Sequence, residues 1–341
     1  MSRRARDGVL RAGTALGLLV IVSAQANAGG FAVREQSVYG QGSSFAGVAA
    51  GGALSSMFWN PATMTQFQGI VSETDVSGIF PYSSNTPLAG SSLLPAGYPG
   101  TSNVANATPV PAGYTSYQFS PNLWLGLSIN APFGLSENFP YFWAGRDYGG
   151  QTLLKTYNAT PSIAWRINDW ISVGAGVQIQ YAKANLERGI GPVPNPVPPP
   201  LFLVPPGVQG ILRGSGWSYG ATAGVTLTPT PATMIGLGWR SALNQKIEGE
   251  AVTSLALPNT TTGSVTTTLD LPDIVSLGIR QRVDPRWTLL GTAEWSNWSR
   301  IGNSNILQLN GSPALGLGTP QAIHFQYRDG WFFSGGAEYL W

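Results

Sequence analysis

The sequence predicts an all-β protein, a transmembrane antiparallel β-barrel that encloses a small N-terminal hatch. Only 10% of its 341 residues are Asp, Glu, Lys or Arg, against roughly 25% in ordinary soluble domains, so a medium other than water covers much of the surface. Past residue 28, however, the sequence contains no run of about 18 apolar residues that could form a membrane-spanning helix. Because only helices and closed barrels satisfy every backbone polar group within lipid, these observations together predict a barrel.

Residues 1–28 are predicted to be a secretory signal peptide. Four arginines near the start precede an apolar stretch at 15–22, which leads to Ala26-Asn27-Ala28. A basic, then apolar, then small-x-small order is typical of a signal, here cleaved after Ala28. An uncleaved anchor helix is the alternative, but the apolar stretch is too short to span a membrane.

Residues 29–67 are predicted to form the hatch, a compact plug. They are rich in Gly and Ala, show no sustained alternation, and contain Asn60-Pro61-Ala62, which would make a rigid turn inside the lumen. Residues 68–341 are predicted to form the barrel, because segments of about 10 to 18 residues follow one another between Gly, Pro, Asn and Asp turns.

The strands are predicted from their alternating faces, one suited to lipid and the other to a lumen. Segments 171–181, 217–227, 287–295 and 331–341 place apolar residues at every second position. The predicted strands, about ten in number, are 69–82, 113–119, 122–135, 151–167, 170–187, 214–229, 233–250, 264–283, 286–300 and 324–341. Short turns alternate with long connections at 84–112, 136–150, 189–213 and 251–263, and the long ones are predicted to face outside the cell.

Short motifs in a fixed order carry a family resemblance over residues 29–341. They are Gly29-Gly30-Phe31, Asn60-Pro61-Ala62, Ala131-Pro132-Phe133-Gly134-Leu135, the segment 161–169, Gly174-Ala175-Gly176-Val177, Leu186-Glu187-Arg188, Trp239-Arg240-Ser241, Leu271-Pro272, Arg282-Val283-Asp284-Pro285 and Trp298-Ser299. Taken together, they make the chain resemble the FadL-type outer-membrane transporters of long-chain fatty acids and other hydrophobic compounds. Passive transport of such compounds across the outer membrane is what the resemblance implies.

The resemblance also implies a fourteen-stranded barrel closed by a hatch, whereas this sequence stops after the tenth predicted strand. Either the chain is a truncated product or fragment, or it closes as a smaller barrel with Trp341 as its terminal signal. We favour the first, because barrel diameter grows with strand number and ten strands leave less room around the hatch.

The implied substrate site lies near Arg188 and the mature N-terminus, Gly29, Gly30 and Phe31. By the resemblance, Arg188 would bind a substrate carboxylate, and the N-terminus would move when ligand binds. From the residues alone, Arg188 is a solvated arginine or a partner of Glu187. The family's second basic position falls near Ile323 and His324, where there is no lysine, so uncharged aromatic or aliphatic hydrocarbons stay open as substrates.

Two further segments have predicted roles. The connection 189–213 is rich in proline and carries the apolar patch Leu201, Phe202 and Leu203, which suits capture of a hydrophobic molecule; a stiff polyproline spacer is the alternative. In the segment Pro132, Phe133 and Gly134, proline removes a ladder donor and glycine weakens pairing. This agrees with the kink that opens the wall sideways in the family, and an ordinary strand end is the alternative.

Other function classes fit the sequence less well. A general diffusion porin would crowd charges at a constriction, an outer-membrane hydrolase would need a base near a nucleophile, and the single histidine, His324, has no serine motif beside it. A purely structural barrel is harder to exclude. No cofactor, metal or nucleic acid is expected; the expected partners are a hydrophobic small molecule, outer-membrane lipid and the barrel-assembly machinery that would read the Trp341 strand, and the protein is expected to be a monomer.

Overall fold

The computed structural model describes residues 30–88, 99–140, 143–146, 149–189, 193–194, 202–204, 209–254, 261–308 and 321–341. The predicted signal peptide and Gly29 lie outside these ranges. Within the described residues, no helix is long and apolar enough to cross a membrane.

Most of the described residues after residue 69 belong to strands. The strands are β1 (Ile70–Ile79), β2 (Thr108–Ser120), β3 (Leu123–Asn130), β4 (Gly134–Asn138), β5 (Gln151–Arg166), β6 (Ile171–Gly189), β7 (Val193–Pro194), β8 (Phe202–Val204), β9 (Gln209–Thr230), β10 (Thr233–Arg240), β11 (Leu243–Ser254), β12 (Thr261–Leu271), β13 (Ile274–Arg282), β14 (Trp287–Ser296), β15 (Asn303–Gln308), β16 (Gln321–His324) and β17 (Gly330–Tyr339). Among the described residues, fifteen of them form one sheet, with β1-β2-β3-β5-β6-β9-β10-β13-β14-β17 as its main path. Every pairing in it is antiparallel.

The two faces of the sheet differ as the alternation predicts. On β6, Ser172, Gln178 and Gln180 are buried towards the interior, whereas Val177 is exposed on the outside. On β17, Trp331 and Phe333 are exposed. The outer face is therefore apolar and aromatic, and the inner face is polar or small, as expected for a wall between lipid and a lumen.

Residues 30–67 lie inside the wall and include four short helices. They are α1 (Val38–Gly42) and the 3₁₀ helices Val48–Ala50, Leu54–Phe58 and Pro61–Gln66. Ser37 caps α1 by accepting from Gly40 N at 2.9 Å. Helix α1 reaches both ends of the sheet, since Gln41 donates to Ser77 of β1 and Tyr39 donates to Glu338 of β17. The sheet therefore curls around this segment. The predicted boundary between hatch and barrel, at residues 67 and 68, stays a prediction, and this arrangement supports it.

Several predicted strands are wrong as single strands. The predicted 233–250 and 264–283 are divided at 241–242 and 272–273, the predicted 286–300 ends as a strand at Ser296, and the predicted 122–135 and 324–341 are divided at 131–133 and 325–329. Pro272 lacks an N–H, and the Asp273 carboxylate accepts from Ala242 N at 3.0 Å, which replaces ladder pairing at the first two divisions. Residues Trp298–Ile301 form a 3₁₀ helix whose Trp298 and Ile301 are buried, so the chain turns inwards after Ser296.

The divided strands split the sheet into two branches beyond β9. One branch is β10, β13, β14 and β17 at the end with short turns, and the other is β11, β12, β15 and β16 at the end with long connections. Parts of the predicted long connections are also strand: 108–112 pair with β1, 209–213 pair with β6 and β11, 136–138 pair with β5, and 251–254 and 261–263 belong to β11 and β12. Ladder pairing with neighbouring strands extends these segments beyond the turn-rich sequence that predicted loops.

Candidate functional site

The wall is broken between β3 and β4, in the segment that the sequence predicts to be kinked. Asn130 pairs with Asn158 of β5 and Gly134 pairs with Lys155. Between these two pairs the chain advances four residues from Asn130 to Gly134 but only three residues along β5, so one extra residue is inserted, as in a β-bulge. Among the named strands β4 pairs with β5, and its other edge contacts residues 104–106, where Ala105 forms an isolated bridge with Glu137 and Asn138 N donates to Val104 O at 2.8 Å. The ladder of β2 and β3 is therefore interrupted at the break, and only this isolated bridge continues it along β4.

The N-terminal arm, which we define as residues 30–36, occupies this break from the inside. Ala32 forms an antiparallel bridge with Phe133. Val33 N donates to Pro132 O at 2.8 Å, and Gly134 N donates to Phe31 O at 3.0 Å. The arm therefore acts as a short extra strand at the place where the wall lacks one.

The Gln36 side chain completes the hydrogen bonding of the break. It is fully buried, its Nε2 donates to Ala131 O at 2.9 Å, and its Oε1 accepts from Ala131 N at 3.2 Å. Thr156 of β5 satisfies Phe133 on both its N–H and its C=O. Within lipid every backbone polar group needs a partner, and here the arm supplies the partners of Ala131, Pro132 and Gly134.

Aromatic rings cluster around the arm. The Phe31 ring lies 5.1 Å from the Trp298 ring and 6.1 Å from that of Phe133, both edge to face. Gly30 adopts a left-handed φ of 52°, and a Cβ there would lie 2.8 Å from Trp298, so glycine lets the chain pass against the indole. The wider buried apolar cluster is Phe31, Phe133, Leu154, Ala184, Leu243, Ile247, Leu269, Leu271, Trp298 and Ile301.

A cavity of about 320 Å³ lies directly behind the arm and the break. Val33, Pro132 and Phe133 line one side, and Phe58 of the hatch and Arg240 of β10 line another. This volume falls at the lower end of the range of small-molecule sites, roughly 300–1,000 Å³. The arm, the break and a ligand-sized space therefore form one site.

The Asn60-Pro61-Ala62 turn lies deeper in the hatch and fixes it to the wall. Asn60 Nδ2 donates to Ala49 O at 2.7 Å and to Val225 O at 3.0 Å, and its Oδ1 accepts from Ala62 N. A Cβ on Gly224 of β9 would lie 2.0 Å from Asn60 Oδ1. The wall glycine therefore permits the close approach, and the turn serves as an anchor rather than a lining of the cavity.

A second anchor ties α1 to the last strand. Arg280 of β13 donates to Glu338 at 2.6 Å and to the Tyr39 hydroxyl at 2.6 Å. Burial of the phenol, followed by its hydrogen bond to Glu338, raises the pKa of Tyr39 to about 12. Tyr39 therefore stays protonated and can donate to Glu338 at neutral pH.

The predicted substrate residues are only partly brought together. Gly30 and Phe31 join Pro132, Phe133 and Gly134 in one contact network. The backbone of Arg188 lies at the end of β6, opposite Gly210 of β9, and its side chain is outside the described part of the chain. Phe202 and Leu203 belong to β8, which pairs with β7, again without described side chains, and Gly29 and Leu201 lie outside the described residues.

Four residues of the site were missed as functional residues in the sequence. Arg34, Arg240 and Glu294 line the cavity, and Trp298 packs on Phe31. Arg240 follows Trp239, and Glu294 precedes Trp295. Because side chains alternate along a strand, the outward tryptophans indicate that both charged residues point into the barrel, and this pattern is visible in the sequence. For Arg34 and Trp298 no local pattern points to the site, because their partners are far along the chain.

Comparison with known proteins supports one family. The family described as "Outer membrane protein transport protein (OMPP1/FadL/TodX)" matches residues 19–341. The chain is 26% identical to the long-chain fatty acid transport protein of Escherichia coli (strain K12), over 94% of this chain and 80% of that protein.

Two solved structures share the fold. A Pseudomonas aeruginosa FadL homologue superposes with a TM-score of 0.72 at 21% identity, covering 91% of this chain and 78% of that one. The Ralstonia pickettii toluene transporter TbuX superposes with a TM-score of 0.61 at 20% identity, covering 88% and 81%. The all-β barrel predicted from the sequence is thereby confirmed, as is its outer-membrane location, and the chain belongs to the OMPP1/FadL/TodX family of outer-membrane transport proteins.

Proposed function

We propose that this chain is a passive conduit that carries long-chain fatty acids, and other hydrophobic compounds, through the barrel and sideways out at Pro132, Phe133 and Gly134. The observation that supports this most is the pairing of the arm with the break. Unpaired backbone groups in lipid cost several kcal/mol each, so the break is stable against lipid only while the arm is seated. Withdrawal of the arm then opens a path from the cavity to the outside of the wall.

An apolar route suits such a substrate. Each CH₂ group kept in water costs about 0.8 kcal/mol relative to an apolar site. The buried cluster around Phe31 and Trp298 continues along the inner wall through Leu243 and Leu271. A long alkyl chain would be favoured to enter this cluster, whereas a hydrated solute would not.

Most of the remaining steps rest on residues whose side chains lie outside the described part of the chain; Gly30 and Phe31 are the exceptions. Leu201, Phe202 and Leu203 would capture the molecule at the outer loops, and Arg188 would bind its carboxylate on the way in. The mature N-terminus, from Gly29 to Phe31, would then release the break. These assignments are part of the proposal and follow from the family resemblance.

Uncharged aromatic hydrocarbons are the second candidate substrates. The three rings of Phe31, Phe133 and Trp298 offer edges and faces to a small aromatic molecule. A toluene transporter is also among the structures that share the fold. A general diffusion porin or a structural barrel is the alternative if neither class is carried.

In this proposal the protein acts in the bacterial outer membrane. It works as a transporter and not as an enzyme, with residues 1–28 removed as a signal peptide. The exposed outer aromatics such as Trp331 and Phe333 contact outer-membrane lipid. The last strand, ending at Trp341, is read by the barrel-assembly machinery, and the protein acts as a monomer.

Uptake by transporter-deficient cells tests the function. Cells expressing the full chain in the outer membrane would be given labelled hexadecanoate and, separately, labelled toluene. We expect hexadecanoate uptake above that of cells with an empty vector, and reduced uptake in Arg188→Ala. Correct insertion with no uptake of either compound would contradict the conduit and favour a structural barrel.

A further inference from the structure

Arg240 is a buried cation without a carboxylate partner. It is 4% exposed and lines the cavity behind the arm. Its guanidinium donates to Phe58 O at 2.9 Å and to Gln178 Oε1, and its carbon lies 4.2 Å from the Phe58 ring centre. Among the described residues, none of the ion pairs within 4.0 Å includes it. Within the described part of the chain its contacts are therefore neutral, and no carboxylate there compensates its charge.

Arg34 brings a second cation to the same cavity. Its Nη2 lies 2.6 Å from Glu294 Oε1, and Glu294 also accepts from Ser276 Oγ at 2.6 Å. Its Nη1 is buried and has no hydrogen-bond partner among the described residues. An arginine of the arm therefore keeps one unsatisfied donor within the packed lining of the cavity.

The charges that line the cavity do not cancel. Arg34 and Arg240 are cationic and Glu294 is anionic, so the cavity carries one surplus positive charge among the described residues. Leaving a charge buried and unpaired costs several kcal/mol. A single monoanion would remove that cost, and a carboxylate matches the planar donors of a guanidinium in a bidentate pair.

The apolar residues of the cavity lining select the part of the ligand that lies away from its carboxylate. Val33, Phe133, Leu243 and Phe332 present apolar surface to the same space. A ligand that satisfies both parts has one carboxylate and an apolar body. Inorganic anions and neutral hydrocarbons would each satisfy one part only.

We propose that Arg240, with Arg34 as the second cation that lines the cavity, is the carboxylate-binding residue of this cavity, so that the chain selects monoanionic amphiphiles over neutral hydrocarbons. This inference rests on the proposed conduit and names the substrate class that its inner cavity accepts. It adds a headgroup site at the arm, separate from Arg188 at the end of β6. Because Arg34 belongs to the arm, the bound carboxylate would also contact the element that closes the break.

Paired ligands test the assignment. Dissociation constants would be measured on the purified full chain in detergent, by intrinsic tryptophan fluorescence, for hexadecanoate and for its methyl ester. The two ligands share an alkyl chain and differ in charge. The variants are Arg240→Gln, which removes the cation, and Glu294→Gln, which removes the anion while keeping an amide that can bond to Arg34 and Ser276. Arg286→Gln, an exposed arginine in a turn, is the matched control.

Opposite shifts are expected. Arg240→Gln should weaken hexadecanoate binding at least tenfold, and Glu294→Gln should tighten it severalfold. Both variants should bind the methyl ester with a dissociation constant within about twofold of the native value. The control Arg286→Gln should stay within about twofold for both ligands. If Arg240→Gln does not fold, judged by its heat-dependent mobility on a gel, Glu294→Gln still decides. Equal shifts for acid and ester, or no shift for the acid, would overturn the site. Binding of the ester without the acid by the native chain would overturn it too and leave the conduit intact, whereas binding of neither would contradict both.

Discussion

Replacing Gln36 with leucine should loosen the arm from the break. Gln36 has no exposed surface, and its amide is bonded to Ala131 N, Ala131 O and Val33 O at 3.2, 2.9 and 3.0 Å. Leucine fills a similar volume without donors or acceptors. The change Gln36→Leu therefore leaves three backbone groups without partners while it keeps the packing.

The size of the effect follows from those three groups. A buried polar group without a partner costs about 1–3 kcal/mol. The three bonds are only partly buried, so we take the low end, about 3 kcal/mol in total. Since about 1.4 kcal/mol corresponds to a factor of ten, the population of the undocked arm should rise about a hundredfold.

Hydrogen exchange measures this opening. The amides of Val33 and Gly134 donate across the contact between arm and break, so peptides covering 31–36 and 131–135 should exchange about a hundredfold faster in Gln36→Leu, by the same conversion. Gln245→Leu is the matched control, because Gln245 is equally buried but bonds to Ser218 Oγ and Gly216 O. Unchanged exchange in Gln36→Leu, or the same acceleration in Gln245→Leu, would refute the proposed role of Gln36.

Three further changes have expected results. Trp298→Ala removes a buried ring and should cost about 3–5 kcal/mol, seen as a lower thermal midpoint by circular dichroism; an unchanged midpoint would show that the ring does not support the wall. Gly30→Ala places a Cβ 2.8 Å from Trp298 at a φ of 52°, where the backbone alone costs roughly 1–2 kcal/mol, so exchange of the arm should accelerate; an unchanged rate would contradict this. In the folded protein the pKa of Tyr39 is raised to about 12, above its value near 10 in the unfolded chain. The neutral phenol therefore stabilises the hatch fully below about pH 10, and this contribution is lost as the pH rises through about 12. Limited proteolysis across that pH window should release the hatch, and Tyr39→Phe should lack this pH-dependent step.

Alternation was sufficient to predict the wall but not its divisions. The inward polar residues and outward aromatics of β6, β9 and β17 lie as their period of two predicts. The sequence does not predict the divisions at 241–242 and 272–273. There the side chains of Ser241 and Asp273 accept hydrogen bonds from Ala221 N and Ala242 N, and these bonds replace the backbone bonds of the ladder. Ala221 lies on β9 and Ala242 lies between β10 and β11, both far along the chain from their partners, so a local pattern cannot show them.

The site was predictable only where its residues are special in themselves. Pro132 and Gly134 mark the break by their backbone chemistry, and Gly30 and Phe31 were named from the resemblance. The ion pair of Arg34 with Glu294 joins residues 260 positions apart, and Trp298 belongs to a segment that alternation assigned to a strand. Long-range pairs of this kind are set by the curl of the sheet, so they became visible only in the structure.

The central claim is that the arm must leave the break before substrate can pass, and a reversible tether tests it most directly. The chain has no cysteine, and bridged antiparallel partners have Cα atoms about 4.5–5.5 Å apart, which suits a disulfide. The double variant Ala32→Cys/Phe133→Cys would be compared oxidised and reduced in uptake of labelled hexadecanoate, with Ser72→Cys/Thr115→Cys, a facing pair on β1 and β2, as the control. We predict that oxidation abolishes uptake only in the arm pair and that reduction restores it, whereas equal uptake by its oxidised and reduced forms would contradict the account.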